Sequence, residues 1–91
     1  MEPLGPKEAL RRLRSLNGWA IHGKKLVKEF KFEDFAQALA FVNKVGGIAA
    51  RLDHHPDVQL TYGRVLLEIT THSAGRLTEM DFKLAEAIDG I

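Results

Sequence analysis

The side chains best suited to chemistry gather in one stretch, Asp53-His54-His55-Pro56-Asp57, with a further histidine at His72. Imidazole, with an ordinary pKa of ~6.5, both gives and takes protons near neutrality, so such a cluster suits a reaction that needs an acid and a base. Pro56 stiffens the backbone after the pair and biases His55 toward an extended conformation, in which successive side chains point in different directions. His54 and His55 are therefore expected to do different jobs. The same histidines, with Asp81, are also potential metal ligands. Adjacent histidines seldom chelate one ion well, however, and the chain has neither a His-x-x-x-His helix spacing nor a cysteine, so no metal is expected. The plainest alternative is that His54 and His55 merely end a helix and His72 a strand.

For these residues to meet, the elements around them must fold back. Val58, Leu60 and Tyr62 alternate with polar residues, as do Val65, Leu67, Ile69 and Thr71, and the two runs break at Tyr62-Gly63. This is a hairpin whose far end returns His72 near His54 and His55. Upstream, Glu33-Asp34 open the longest helix, which runs to about Leu52 and ends where the histidines begin. On a helical wheel Phe35, Ala38, Leu39, Val42, Val45, Gly46, Ala49 and Leu52 share the face expected to lie on a sheet, opposite Gln37, Lys44 and Arg51. Phe41 and Ile48 fall beside that polar stripe, which predicts a second buried surface and a homo-oligomer with both residues at its interface. Gly46 and Gly47 within a helix fit either a close second backbone or a kink.

The remaining elements follow the same logic. Pro6 opens a basic amphipathic helix carrying Ala9, Leu10, Leu13 and Leu16 and stopping at Asn17-Gly18. Trp19–Ile21 and Lys25–Phe32 read as strands joined at His22-Gly23, which makes His22 an exposed turn residue and Trp19 core or pocket wall. Ser73-Ala74-Gly75 form a loop. Thr78 caps a last helix with Asp81 at its third position and Met80, Leu84, Ala87, Ile88 and Ile91 on its apolar stripe. The order αββαββα predicts an α+β fold, a two-layer sandwich with a four-stranded antiparallel sheet and three helices on one face.

Ninety-one residues, 45% hydrophobic and 27% charged, describe a single globular domain spanning 1–91. A formal charge of +1 supplies no long-range field toward nucleic acid or anionic lipid, so neither is an expected partner. There is no membrane-length apolar run and no signal-peptide core, and the absence of cysteine suits a reducing compartment, so the expected location is cytoplasmic.

The pattern resembles the pterin-4a-carbinolamine dehydratases. Their signature is a His-His-Pro step, an aromatic about six positions after the proline, a third histidine and an aspartate in the last helix. Here these are His54, His55 and Pro56, Tyr62 six positions on, His72 eighteen after His54, and Asp81 nine after His72. The likeness continues through Lys28-Glu29-Phe30-Lys31-Phe32, Asp34-Phe35, Leu52-Asp53 and Leu77-Thr78-Glu79. One departure stands out: the position four before the first histidine, usually acidic or polar in the family, is Ala50, for which Arg51 or Asp53 would have to substitute.

The resemblance implies a hydro-lyase that dehydrates 4a-hydroxytetrahydrobiopterin to quinonoid dihydropterin, in tetrahydrobiopterin recycling, without a cofactor. It implies His54 and His72 as the proton-exchanging pair and His55 as the residue that orients the pterin. Asp81 would fix an imidazole or the pocket, with Asp53, Pro56 and Trp19 in support. It also suggests a dimer or tetramer. A different outcome on the same fold is a non-catalytic interaction module, since family members act as dimerisation cofactors or assembly partners.

Overall fold

Pro6 opens α1 (Pro6–Leu13) at a position where its missing N–H has no helical partner to lose. The helix ends at Leu13, a turn earlier than the apolar spacing predicts, and the chain turns through Gly18, whose φ of 76° needs a residue without a side chain. β1 (Ala20–His22) and β2 (Lys25–Lys31) then pair antiparallel around Gly23-Lys24. His22 is thus the last strand residue rather than part of the turn.

In α2 (Phe35–Leu52) the Asp34 carboxylate caps the first turn by accepting the Gln37 N–H at 2.8 Å. The second hairpin is β3 (Asp57–Thr61) and β4 (Arg64–Ile69), turning at Tyr62-Gly63. Gly63 is required there, because a Cβ would meet the Phe32 carbonyl oxygen at 2.7 Å while the Gly63 carbonyl accepts the Phe32 N–H. A short 3-10 turn, His72–Ala74, replaces the expected loop. Thr78 closes a capping box with Asp81 at the start of α3 (Glu79–Asp89). The computed structural model describes residues 2–91; Met1, first residue of the expected 1–91 domain, lies outside them.

The four strands form one antiparallel sheet in the order β1-β2-β4-β3, and the fold is the expected α+β sandwich in the order αββαββα. Its central pairing, β2 with β4, joins the two hairpins in a register that sets Leu26 opposite Ile69, Lys28 opposite Leu67 and Phe30 opposite Val65. Those residues share the face under the helices. Leu26, Val65, Leu67 and Ile69 are wholly buried there against Ala38, Val45, Phe82, Leu84 and Ile88. Each large one contributes about 2 kcal/mol of apolar burial. α1 joins this layer through Ala9 and through Arg12, whose guanidinium lies 5.4 Å from the Phe82 ring centre. Among the described residues no helix is long and apolar enough to cross a membrane.

The orientation of α2 corrects the helical-wheel expectation. Phe41 packs on the sheet, its ring centre 4.6 Å from Phe30 and 5.2 Å from Phe32, and Ile48 packs against the same core. Both are partly buried by these contacts. Phe35 and Leu39 are instead 45% and 40% exposed. The helix is rotated by roughly half of one residue's 100° step, because the strand phenylalanines offer Phe41 a better partner than solvent. Gly46 and Gly47 lie on the outer arc, where a Cβ would meet none of the described residues within 4 Å apart from its chain neighbours and the helix's own backbone.

Candidate active site

The end of α2 positions the first histidine. Asp53 takes the left-handed conformation (φ 52°, ψ 43°), the one non-glycine among the described residues to do so, and aspartate tolerates it better than most side chains. The Asp53 N–H donates to Ala50 O at 3.3 Å and the His54 N–H to Ala49 O at 3.1 Å, a Schellman closure. The reversal turns His54 toward α3, and Pro56 then leads the chain into β3.

His54 meets Asp81 across 27 residues of sequence. Its Nε2 lies 2.6 Å from Asp81 Oδ1; the histidine side chain is 14% exposed and the aspartate is wholly buried. The other carboxylate oxygen accepts from Thr71 Oγ1 and from the Thr78 N–H, both at 2.8 Å, and the two threonine hydroxyls lie 2.9 Å apart. Among the described residues no buried side-chain polar atom lacks a partner, so this cluster is fully satisfied and correspondingly rigid. A carboxylate only accepts hydrogen bonds, so Nε2 carries the shared proton. Nδ1 is left as the ring nitrogen that can accept another.

A cavity of about 320 Å³ opens at this place, lined by Asp53, His54, His55, Thr70, Thr71, His72 and Ser73. All three expected histidines border it. His55 and His72 are exposed at its rim, whereas His54 is recessed and held from behind by Asp81. Two imidazoles open to a ligand beside a third with a fixed proton can serve acid–base chemistry on a small molecule. Among the described residues no group of three or more His, Cys, Asp or Glu side chains is arranged to hold a metal ion.

The other expected site residues separate. Asp53 lines the cavity, while Asp81 lies behind it and Pro56 follows it in the chain. Ala50 is exposed on α2 and gives the cavity no side chain, so Asp53 is the acidic group at this rim. Trp19 does not line this cavity. It is buried with its indole N–H 3.0 Å from both carboxylate oxygens of Asp89, two turns of α3 or about 12 Å from Asp81. Tyr62, 70% exposed at the hairpin turn, is at the opposite end of β3 from the histidines. The spacing of the motif therefore does not bring the tyrosine to this cavity. Thr71 belongs to the site and is absent from the motif. Its signal was a hydroxyl on the buried side of the Val65, Leu67, Ile69 alternation, where a polar group needs a partner.

The sequence profile described as pterin 4 alpha carbinolamine dehydratase matches residues 2–91. A protein of Sulfolobus acidocaldarius that carries a provisional pterin-4-alpha-carbinolamine dehydratase name is 47% identical over 88 residues, 97% of each chain. A crystal structure from Brucella melitensis, described as a transcriptional coactivator/pterin dehydratase, superposes with a TM-score of 0.92 at 35% identity and covers 98% of this chain and 97% of its own. The fold alone is shared with a pterin dehydratase-like protein described as a RuBisCO assembly factor of the alpha-carboxysome. That match has a TM-score of 0.68 at 23% identity and covers 81% of this chain and 88% of the other.

Proposed function

This chain belongs to the pterin 4 alpha carbinolamine dehydratase family, and on that premise we propose that it dehydrates 4a-hydroxytetrahydrobiopterin to quinonoid dihydropterin. The observation that carries the reading is the 2.6 Å contact between His54 and the buried Asp81 at the back of a cavity rimmed by His55 and His72. In a carbinolamine the hydroxyl and the ring N–H flank the same C–N bond. His54 Nδ1 takes the proton from that nitrogen, its electron pair forms the C=N bond, and the C–O bond breaks. His72 supplies the proton with which the oxygen leaves as water. Asp81 steadies the imidazolium that forms on His54, as a positioning residue, and His55 orients the bicyclic ring. Neither proton transfer calls for a metal or an organic cofactor.

The test is to time dehydration of the carbinolamine by the intact protein and its variants. His54→Ala and His72→Ala are each expected to lose about 10²–10⁴ in kcat, the usual worth of a general acid or base. Wild-type rates in both variants would remove the assignment.

A homo-oligomer is part of the same proposal, supported by a different surface from Phe41 and Ile48. The outer arc of α2 carries Phe35, Leu39, Gly46 and Gly47 without a charged residue among them, and a second copy would cover it. Leu39→Lys is expected to lower the mass measured by light scattering. An unchanged mass removes this face from the interface. The exposed arc is also what favours the second reading, an interaction module, for which dehydration would be absent while the arc still bound a partner.

A further inference from the structure

Thr71 stands between the two histidines to which the proton exchange is assigned. It immediately precedes His72, and its carbonyl accepts the N–H groups of Ala74 and Gly75, both at 3.1 Å, which closes the 3-10 turn that presents His72. Its side chain reaches the other way, to the carboxylate that holds His54. Thr71 is 8% exposed, and the Thr78 and Asp81 it touches are wholly buried. Counting hydrogens gives this cluster a direction, because a hydroxyl has one proton to donate. Thr71 gives its proton to Asp81 Oδ2, since a carboxylate has none to offer, so across the 2.9 Å contact between the hydroxyls Thr78 donates and Thr71 accepts. Thr78 Oγ1 accepts in turn from the Met80 N–H at 3.3 Å. The hydrogen bonds therefore run one way, from the first turn of α3 through Thr78 and Thr71 to Asp81 Oδ2, which also takes the Thr78 N–H. With two donors on Oδ2, Oδ1 is the oxygen left for His54.

We infer that Thr71 is a positioning residue of the proposed dehydration: its hydroxyl fixes the Asp81 carboxylate, and through it the proton on His54 Nε2, while its carbonyl fixes His72. The inference rests on the dehydratase reading for the roles of the two histidines. Without the Thr71 hydroxyl, Oδ2 would keep only the Thr78 N–H, and the carboxylate could turn about its Cβ–Cγ bond. The imidazole it holds would then be released. A released neutral imidazole exchanges between two tautomers, and in one of them Nδ1 carries the proton and cannot accept another from the substrate. Valine has nearly the shape of threonine and lacks the hydroxyl, so at position 71 it would deprive both Asp81 and the buried Thr78 hydroxyl of a partner. Serine would keep both contacts. One side chain thus couples the groups that take and give the proton.

The test compares Thr71→Val and Thr71→Ser in the intact protein by two readouts. In dehydration assays the valine variant is expected to lose about tenfold in kcat with KM within about twofold of wild type, the factor that one hydrogen bond to a charged group supplies, and serine should restore the rate. The imidazole nitrogen signals in the NMR spectrum, recorded at alkaline pH, should show His54 protonated at Nε2 alone in wild type and Thr71→Ser, and an average of both tautomers in Thr71→Val. Wild-type kcat in the valine variant overturns the inference. So does a lower kcat with unaltered ring signals or with a raised KM, either of which makes Thr71 a substrate contact instead. Should the valine variant not fold, the wild type decides: a His54 ring that already averages both tautomers overturns the inference, and a single Nε2–H form with the Thr71 hydroxyl proton protected from exchange supports it. The two ideas fail separately. A wild type that dehydrates no carbinolamine refutes the reaction, while the ring signals still judge Thr71; dehydration by a valine variant indistinguishable from wild type refutes the role of Thr71 alone.

Discussion

The two ends of α3 each present an aspartate to a nitrogen from a distant part of the chain, with opposite consequences. At its start Asp81 is wholly buried and holds His54 at the back of a cavity. At its end Asp89 is partly exposed and holds the Trp19 indole at 3.0 Å and the Lys28 ammonium at 2.9 Å. Lys28 also lies 4.8 Å from the Phe30 ring centre, which anchors it in the aromatic layer between sheet and α2. The carboxylate chemistry is the same, but the partners differ in what they can do. An indole N–H does not exchange its proton in catalysis, so the Asp89 cluster can only pin the β1 end of the sheet to α3. An imidazole held through one nitrogen keeps the other for a substrate. A buried carboxylate becomes part of a reactive site when its partner has a second nitrogen free to exchange a proton and borders open space.

The sharpest way to break this contrast is Asp81→Asn. An amide would present an N–H to His54 Nε2, force the proton onto Nδ1 and remove the nitrogen that accepts from substrate. The expected loss is about 10³-fold in kcat, in the way a wrong histidine tautomer disables other His–Asp pairs. Stopped-flow dehydration assays check it. An unchanged kcat would mean that His54 does not act through Nδ1.

Asp89→Asn is the matching change at the other end. It leaves the Lys28 ammonium without its counter-charge and is expected to cost about 1–2 kcal/mol of stability with kcat unaltered. For a 91-residue chain this lowers Tm by about 5–15 °C, measurable by calorimetry. A fall in kcat at temperatures where the variant is folded would erase the distinction between the two aspartates.

The smallest effect sharpens the comparison from outside. Glu29, on the uncovered face of the sheet, pairs with the Arg64 guanidinium, whose hydrogen bond holds its carboxyl below the ordinary value of 4.5. A lowered folded pKa means that the pair's contribution is present above 4.5 and is lost as the pH falls through the folded value. Screening at a fully exposed site keeps it small. Wild type and Glu29→Gln should therefore differ slightly in Tm at pH 7 and converge well below pH 4.5. A difference that persists in acid would assign the effect to something other than the ion pair.

Much of this was legible beforehand in particular residues. Tyr62-Gly63 marked the hairpin that returns His72 to His54 and His55, and Thr78 with Asp81 marked the capping box, because local backbone chemistry decides such features. Less legible was the rotation of α2. Apolar residues occupy so much of its circumference that periodicity left two arcs eligible, and the Phe30 and Phe32 rings selected the one containing Phe41. Trp19, expected as core or pocket wall, is core, and its indole pairs with Asp89 across 70 residues, a contact that no local pattern marks. Thr71 belongs to the site through its hydroxyl bond to Asp81, a contact between β4's end and α3 that no local pattern marks.

By itself the order of residues determined the elements, the hairpin turns and the identity of the three imidazoles, since all of these depend on steric and hydrogen-bonding preferences within a few positions. The tertiary structure alone decided which imidazole is held by Asp81 and that Tyr62 and Trp19 lie elsewhere. Those relations arise from the pairing of β2 with β4 and the packing of α3 beneath them. Such long-range contacts are chosen by the burial of the whole core and leave no periodic trace in any one segment.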